Sequence, residues 1–336
     1  MTAGLENTML EDSLRNSPPP EQESFLAGFK AAFQNARQER PGDRLGYLFI
    51  APAILLFLVF QGYPILRGLL MAFSDYRWLV PESQGLFDLN GLDNYLAILQ
   101  DETFFRSFAI TLKYTSLYLP LLLILSLGTA LLISKVRQPR LAAFYRVVAY
   151  IPVVLPVSVS MMMWRQIYNQ EYGILNGFLR GVLGLSSPPM WLSDPAWAMT
   201  VVLIPDLWLG FGYFTLLFLI GLYNIDTTLY EAAAIDGANG WQQLWFITLP
   251  LLKSIITLVL ITTGGLASAV VPILTLFHIP AGPEQSMLTV GLYSFRTAFS
   301  LGDMRMGYAA SMALVAGVYS MLFSALVFKL LRIERS

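Results

Sequence analysis

Asp206 stands in an apolar stretch, about 198–222, where a carboxylate costs about 3 kcal/mol unless it faces a cavity or a partner. Gly210 and Tyr213 follow four and seven residues on, so a helix would carry a carboxylate, a gap and a phenol on one face, with Trp208 and Phe211 nearby. Such a set can accept hydrogen bonds from solute hydroxyls and stack on the face of a sugar ring. Two other roles fit the same residue. Asp206 lies within about two turns of one end of its stretch, so it could be interfacial, or it could pair with Arg165 on another helix.

Further hydroxyls and rings recur at helical spacing. Pro152, Pro156, Ser160 and Trp164 make one stripe, which predicts either a kinked helix with carbonyls freed toward a pathway or packing alone. Tyr114, Tyr118 and Pro120 form a similar set within 111–134. Thr262, Thr263, Gly264 and Gly265 soften a later stretch, and Gly265 with Ala269 has the spacing of close helix contact. The candidate pathway residues are therefore Asp206, Tyr213, Gly210, Trp164, Tyr118 and Ser160.

A polar, gently amphipathic segment lies between two apolar runs at 231–250. Thr228 and Glu231 have capping-box spacing, so a short helix is expected through Ala232, Ala233, Ala234 and Ile235, ending at Gly237. A second turn carries Trp241, Leu244, Trp245, Ile247 and Leu249 before Pro250, which suits the first turn of a following span. The segment is either an ordinary interfacial loop or a knob presented to a partner outside the membrane.

The elements that position these residues follow from composition. With 56% hydrophobic and 13% charged residues and a mean hydropathy of +0.59, the 336-residue chain reads as an integral membrane protein. It has no cysteine and one histidine, His278, so neither a disulfide framework nor a metal site is expected. No phosphate loop, dinucleotide fingerprint or nucleophile elbow occurs in the sequence. The reading is that this chain is no enzyme and binds no cofactor of its own. A net charge of -1 argues against a nucleic-acid partner.

Six apolar stretches, at about 46–72, 111–134, 147–167, 198–222, 252–277 and 309–331, are each near the ~20 residues that cross a bilayer core. Continuous apolar runs exclude barrel strands, so the fold class is an all-α integral membrane protein with six transmembrane helices. Gln61, Gly62 and Pro64 interrupt the first run, which predicts a bend near its outer end. Basic residues concentrate at Arg37, Arg40 and Arg44, at Lys135, Arg137, Arg140 and Arg146, and at Lys329, Arg332 and Arg335. That bias puts both termini and the 231–250 segment in the cytoplasm. Residues 1–44 read as a retained tail. Within it Phe25, Phe29 and Phe33 give 24–37 an apolar stripe, either of a docked helix or of a frayed tail. Residues 45–107 then hold the first span and an outer loop, and 108–332 the core with its loop at 228–250.

Glu231-Ala232-Ala233, Gly237 and Ile247-x-Leu249-Pro250 resemble the EAA loop of permease subunits of binding-protein-dependent ABC importers. Tyr230 to Asn239 is similar to the form in sugar-uptake permeases. Gly91-Leu92-Asp93-Asn94-Tyr95, Phe104 to Tyr114, Tyr145-Arg146, Ile151-Pro152, Trp164 and Gly173-Ile174-Leu175-Asn176 extend the likeness upstream. Gly282-Pro283, Thr289, Tyr293 and Ala298-Phe299 extend it downstream. The chain is similar to type I, maltose-transporter-like subunits, of the partner whose gene usually comes first.

The resemblance implies a prokaryotic plasma (inner) membrane location and a cytoplasmic coupling helix seated on an ATPase. Glu231, Ala232, Ala233, Asp236, Gly237, Ile247, Leu249 and Pro250 would serve that coupling. It also implies a heterodimer with a second permease, two ATPase copies that use ATP and Mg, an extracytoplasmic solute-binding protein and a sugar-like solute, within membrane lipid. Trp191 and Trp197 fit either docking of the binding protein or an interfacial belt. The chain departs from the sugar-permease pattern at Ala267 to Pro272 and His278 to Pro283, which leaves the particular sugar or polyol open. A secondary transporter would leave the EAA loop unexplained, and a regulatory subunit would not need Asp206.

Overall fold

The computed structural model describes residues 43–80, 82, 89–264, 270–277, 281–302 and 304–331. The readings for 24–37, Gly265, Ala269, His278, Arg332 and Arg335 lie outside these. The chain divides into two units, Met1–Leu66 and Arg67–Ser336. In the first, α1 (Asp43–Phe57) enters a π-helical turn, Leu58–Gly62, and continues into α2 (Tyr63–Met71), which crosses the division. The expected bend takes the form of this wide turn, in which the Tyr63 amide donates to Leu58 O. It accommodates the Pro64 ring without breaking the 23-residue span Phe49–Met71.

The second unit begins with α3 (Asp93–Leu99), α4 (Glu102–Ser134), α5 (Pro139–Val154), α6 (Val157–Ile167), α7 (Ile174–Gly181) and α8 (Pro195–Tyr223). Then come α9 (Thr227–Ile235), α10 (Gly240–Gln243), a π-helical turn Leu244–Thr248, α11 (Leu249–Leu251) and α12 (Lys253–Gly264). Last are α13 (Val270–Leu276), a 3-10 turn Pro283–Gln285, α14 (Val290–Phe299) and α15 (Met306–Leu331). The described residues form no strand beyond an isolated bridge, Ser74 to Leu89.

Among the described residues Phe49–Met71, α4, α8 and α15 are each long and apolar enough to cross a membrane, and two bent pairs bring the number to six where each pair is one span. The pair α5 and α6 turns by 97° between Val154 and Val157, and Gly240–Leu251 turns by 66° into α12. The first bend is the kink expected at Pro152 and Pro156, and it is sharp enough to divide their stripe with Ser160 and Trp164. Pro156 has no N–H to continue the ladder and Leu155 is extended, so Pro152 ends in one helix and Ser160 and Trp164 in the next. The third span also starts earlier than 147, at Pro139, and the second at Glu102 rather than 111, since polar first turns still satisfy their own backbone. Pro250 does not open a new span. It lies in α11, two residues before Leu252, where the chain turns into α12.

α8 is the central helix, packed along α4 and α5 and touched by α6, α12 and α13. Gly212 lets it approach α5, because a Cβ there would fall on the Ala149 carbonyl oxygen, and a backbone atom cannot swing aside. α15 packs on α12 and α14. The N-terminal ends of α4 and α15 meet at Asp101, and the C-terminal ends of α4 and α8 meet beside Lys135. These are the two ends of the bundle.

Candidate functional site

One face of α4 carries Ser107, Thr111, Tyr114, Tyr118, Leu122 and Ser126, all buried. Tyr114 donates to Asp206 Oδ2 at 2.5 Å, and the Tyr118 ring stacks on that of Tyr114, 5.7 Å between centroids and 14° from parallel. A Cβ at Gly210 would lie 2.9 Å from the Tyr118 hydroxyl, so the glycine makes room for the phenol between α4 and α8. Further along the seam, Thr215 Oγ1 donates to Ser126 O at 3.3 Å. Toward the other end, the Val290 amide donates to Thr111 Oγ1 at 2.9 Å. Asp206 thus has one oxygen held by a phenol, while Oδ1 receives no donor from the described residues. The pair is a hydrogen-bond acceptor beside two aromatic rings inside a span, able to take a hydroxyl donor.

The structure brings Asp206, Gly210 and Tyr118 together, while Tyr213 and Trp164 make their ring contacts elsewhere. Tyr213 is half exposed and sets its ring edge against Phe214, 5.1 Å away. Trp164 meets Trp208 at 5.9 Å, and Trp208 is about 200° around the helix from Asp206. From Trp164 a column of rings runs through Tyr168 and Trp191 to Trp197, with the Trp191 indole donating to Asn176 Oδ1 at 2.6 Å. Trp191 and Trp197 therefore pack against the core. Ser160 is fully buried, and its hydroxyl has no partner among the described residues. Tyr114 as the Asp206 partner was readable only as one member of a helical set, since nothing in spacing says which helix a phenol faces.

The segment after α8 is built differently from its expected capping. Asp226, not Thr228, is the N-cap of α9, accepting from the Thr228 amide at 2.9 Å. An N-cap must be extended, and Thr228 is already helical, so Glu231 is an interior residue. The Thr228 amide and hydroxyl hold the Asp226 carboxyl below its usual range. The reciprocal capping box is at Asn239 and Gln242, with both bonds formed, at 2.8 and 2.9 Å. The N-x-x-Q spacing of Asn239 and Gln242 is the sequence signal for it.

α9 closes on Gly237 at φ +81°. Ala238 N donates to Ala233 O at 2.8 Å and Gly237 N to Ala234 O at 3.1 Å, the paired bonds of a Schellman end. No α9 residue is buried, and Ile235 is 88% exposed. Glu231, Ala232, Asp236 and Pro250 are exposed as well, whereas Ala233, Ile247 and Leu249 are partly covered. The Tyr230 and Thr248 hydroxyls, 2.9 Å apart, tie α9 to the following turn.

A second polar node, absent from the sequence reading, sits at the far end. Asp101 Oδ1 accepts from the Thr103 and Phe104 amides at 2.9 and 3.1 Å, capping α4. Its Oδ2 accepts from the Tyr293 and Tyr308 hydroxyls at 2.8 and 2.7 Å, joining α14 and α15 to that cap. Burial opposes the charge, but the two phenols and two amides outweigh it and hold the Asp101 carboxyl below its ordinary range. Asp101→Ala is expected to cost about 3 kcal/mol, from a lost cap and lost charge-assisted bonds. A depressed carboxylate stabilises above its unfolded pKa, about 3.9, and this contribution is lost as pH falls through the lower folded value. Thermal unfolding in detergent should therefore show a wild-type advantage that is full at neutral pH and shrinks below about pH 4; a pH-independent gap would contradict it.

Several apolar helices, a buried polar seam between α4 and α8, and a short exposed helix closed by a left-handed glycine define a multi-pass membrane protein. A family model for the binding-protein-dependent transport system inner membrane component matches residues 121–333, and the chain belongs to that family. It is 30% identical over 304 residues to a diacetylchitobiose uptake system permease protein of Streptomyces coelicolor, covering 87% of this chain and 84% of the relative. It is 33% identical over 268 residues to a trehalose/maltose transport system permease protein of Thermococcus litoralis, covering 80% and 88%. Its fold is similar to that of a chain in a bacterial ABC transporter that imports alginate, with a TM-score of 0.74 at 22% identity over 91% of this chain and 100% of that one. A second chain, solved with an alginate pentasaccharide-bound periplasmic protein, gives 0.73 at 23% identity over 88% and 96%.

Proposed function

We propose that this chain forms part of the translocation pathway of an ATP-driven importer and passes a sugar or related polyol from a solute-binding protein across the membrane. The observation that carries the coupling half is α9. A nine-residue helix with no buried residue, Ile235 at 88% exposure and a rigid glycine end is a poor unit by itself and a good insert for a groove. Ala232 and Ala234 permit close approach, and Glu231 offers a carboxylate to a basic group on an ATPase subunit, which supplies the hydrolysis. The Lys135 end then faces the cytoplasm with both termini, as the basic residues suggest.

The sugar half rests on the two relatives, named for uptake of diacetylchitobiose and of trehalose and maltose, together with the acceptor and rings of the α4–α8 seam. Asp206, Gly210 and Tyr118 form its centre. Tyr213, Trp164 and Ser160 would line it only if the span shifts during transport. A second permease and two ATPase copies complete the assembly in this reading. The test is a reconstituted complex in which ATP hydrolysis and uptake of labelled saccharides are followed together. Loaded binding protein should stimulate both. Uptake driven by a proton or sodium gradient without ATP, or hydrolysis stimulated without uptake, would overturn the reading.

A further inference from the structure

A cleft of about 570 Å³ opens at the Lys135 end, between the C-terminal ends of α4 and α8 and the segment α9–α10. Leu131, Leu222 and Leu244 give it an apolar side. Thr227 and Lys135 bring a hydroxyl and an ammonium group, and the Ser134 hydroxyl beside them donates to Leu131 O at 2.9 Å. The Lys135 side chain pairs with no carboxylate and donates to nothing among the described residues. Arg137 and Arg140 follow it, both exposed, with no acidic residue between Glu102 and Glu171, while the Asp226 carboxylate beside Thr227 is engaged by the Thr228 amide at the start of α9. Trp241, which also lines the cleft, is 67% exposed and sets its ring edge against exposed Trp245 at 5.8 Å. Exposed indoles at the end of apolar spans are where the headgroup layer lies.

A soluble anion would use the ammonium and the hydroxyl but neither the leucines nor the indoles. An amphiphile with a phosphate at one end uses all of them. We propose that this cleft binds an anionic phospholipid, the headgroup phosphate on Lys135 and Thr227, and the upper acyl chain along Leu131, Leu222 and Leu244. The bound lipid bridges α4 and α8 to α9, so its occupancy sets how firmly the exposed helix is held. That consequence rests on the coupling role proposed above; the binding itself does not.

The test uses the purified full chain, delipidated in neutral detergent and titrated with phosphatidylglycerol or phosphatidylcholine, with retained lipid read by native mass spectrometry. Wild type and Lys135→Arg should retain phosphatidylglycerol in preference to phosphatidylcholine. Lys135→Gln should bind it at least about fivefold more weakly, the effect of one interfacial cation. Lys329→Gln, at the C-terminal end of α15 and outside the cleft, should bind as wild type. Equal retention by Lys135→Gln and wild type, or equal retention of both lipids, would overturn the assignment. Displacement of the lipid by glycerol 3-phosphate would overturn it in favour of a soluble phosphoester. If Lys135→Gln lowers ATP-driven uptake with lipid retention intact, the lipid site fails and the coupling role of α9 stands.

Discussion

Gly237→Val is expected to lower uptake at least about tenfold in a subunit that still folds and assembles. At φ +81° the glycine occupies a region that costs an L-residue about 1–2 kcal/mol, and more for a β-branched one. A Cβ there meets nothing within 4 Å, so the cost is conformational and not a clash. The end of α9 has two ways to respond: keep the turn under strain, or give up the bonds from Gly237 and Ala238 to Ala234 and Ala233. The second response moves an exposed helix relative to the turn at Asn239, and the first strains that junction, neither touching the core around α8. The expected signature is uptake lowered at least about tenfold, with thermal unfolding close to wild type and ATP hydrolysis no longer answering to loaded binding protein. Gly237→Asn should be milder, because asparagine tolerates the left-handed region. Glu231→Gln should share the uncoupling if its carboxylate is the docking contact. Wild-type transport in both Gly237→Val and Glu231→Gln would remove the coupling role from this helix.

Asp206→Ala should lower uptake about a hundredfold, and the difficulty is to separate a lost solute contact from lost packing. The substitution leaves the Tyr114 hydroxyl buried without its acceptor, a penalty of about 1–3 kcal/mol. Removing both groups relieves that penalty, so Asp206→Ala with Tyr114→Phe should recover much of the stability. Under the pathway reading the double variant remains inactive, since the acceptor for solute hydroxyls is still missing. Under a purely structural reading uptake returns together with stability. Unfolding temperature and saccharide uptake, measured across the four proteins of the cycle, give the decision directly. Uptake that follows stability would reduce Asp206 to a helix-helix contact.

These two sites were legible to different degrees. The Glu231, Gly237 and Pro250 spacings marked the exposed segment because its logic is local: a glycine that ends a helix acts within a few residues of chain. Even there the cap was misplaced. Asp226 and Thr228 both have suitable side chains, and the extended backbone of Asp226 decides between them. Asp206 was conspicuous because a carboxylate in an apolar run is costly wherever it lies. Spacing put Tyr213 on its face and offered Arg165 as a partner across helices; the phenol that meets it comes from α4, 92 residues away in sequence. Asp101 gave no comparable sign, since a carboxylate before a helix is ordinary until Tyr293 and Tyr308 arrive from 192 and 207 residues further along.

The sequence by itself determined that this is a helical membrane protein with six apolar spans, that a polar segment at 231–250 stands apart from them, and that the family pattern runs along most of the chain. Hydrophobicity, charge position and turn chemistry are properties of short windows, so they can be read without a fold. Only the tertiary structure decided which residues meet: Tyr114 with Asp206, Gly210 with Tyr118, Gly212 with Ala149, and Lys135 with the cleft beside α9. A helix buried on several sides, as α8 is, carries apolar residues around its circumference, and its sequence therefore holds no stripe to say which neighbour lies where.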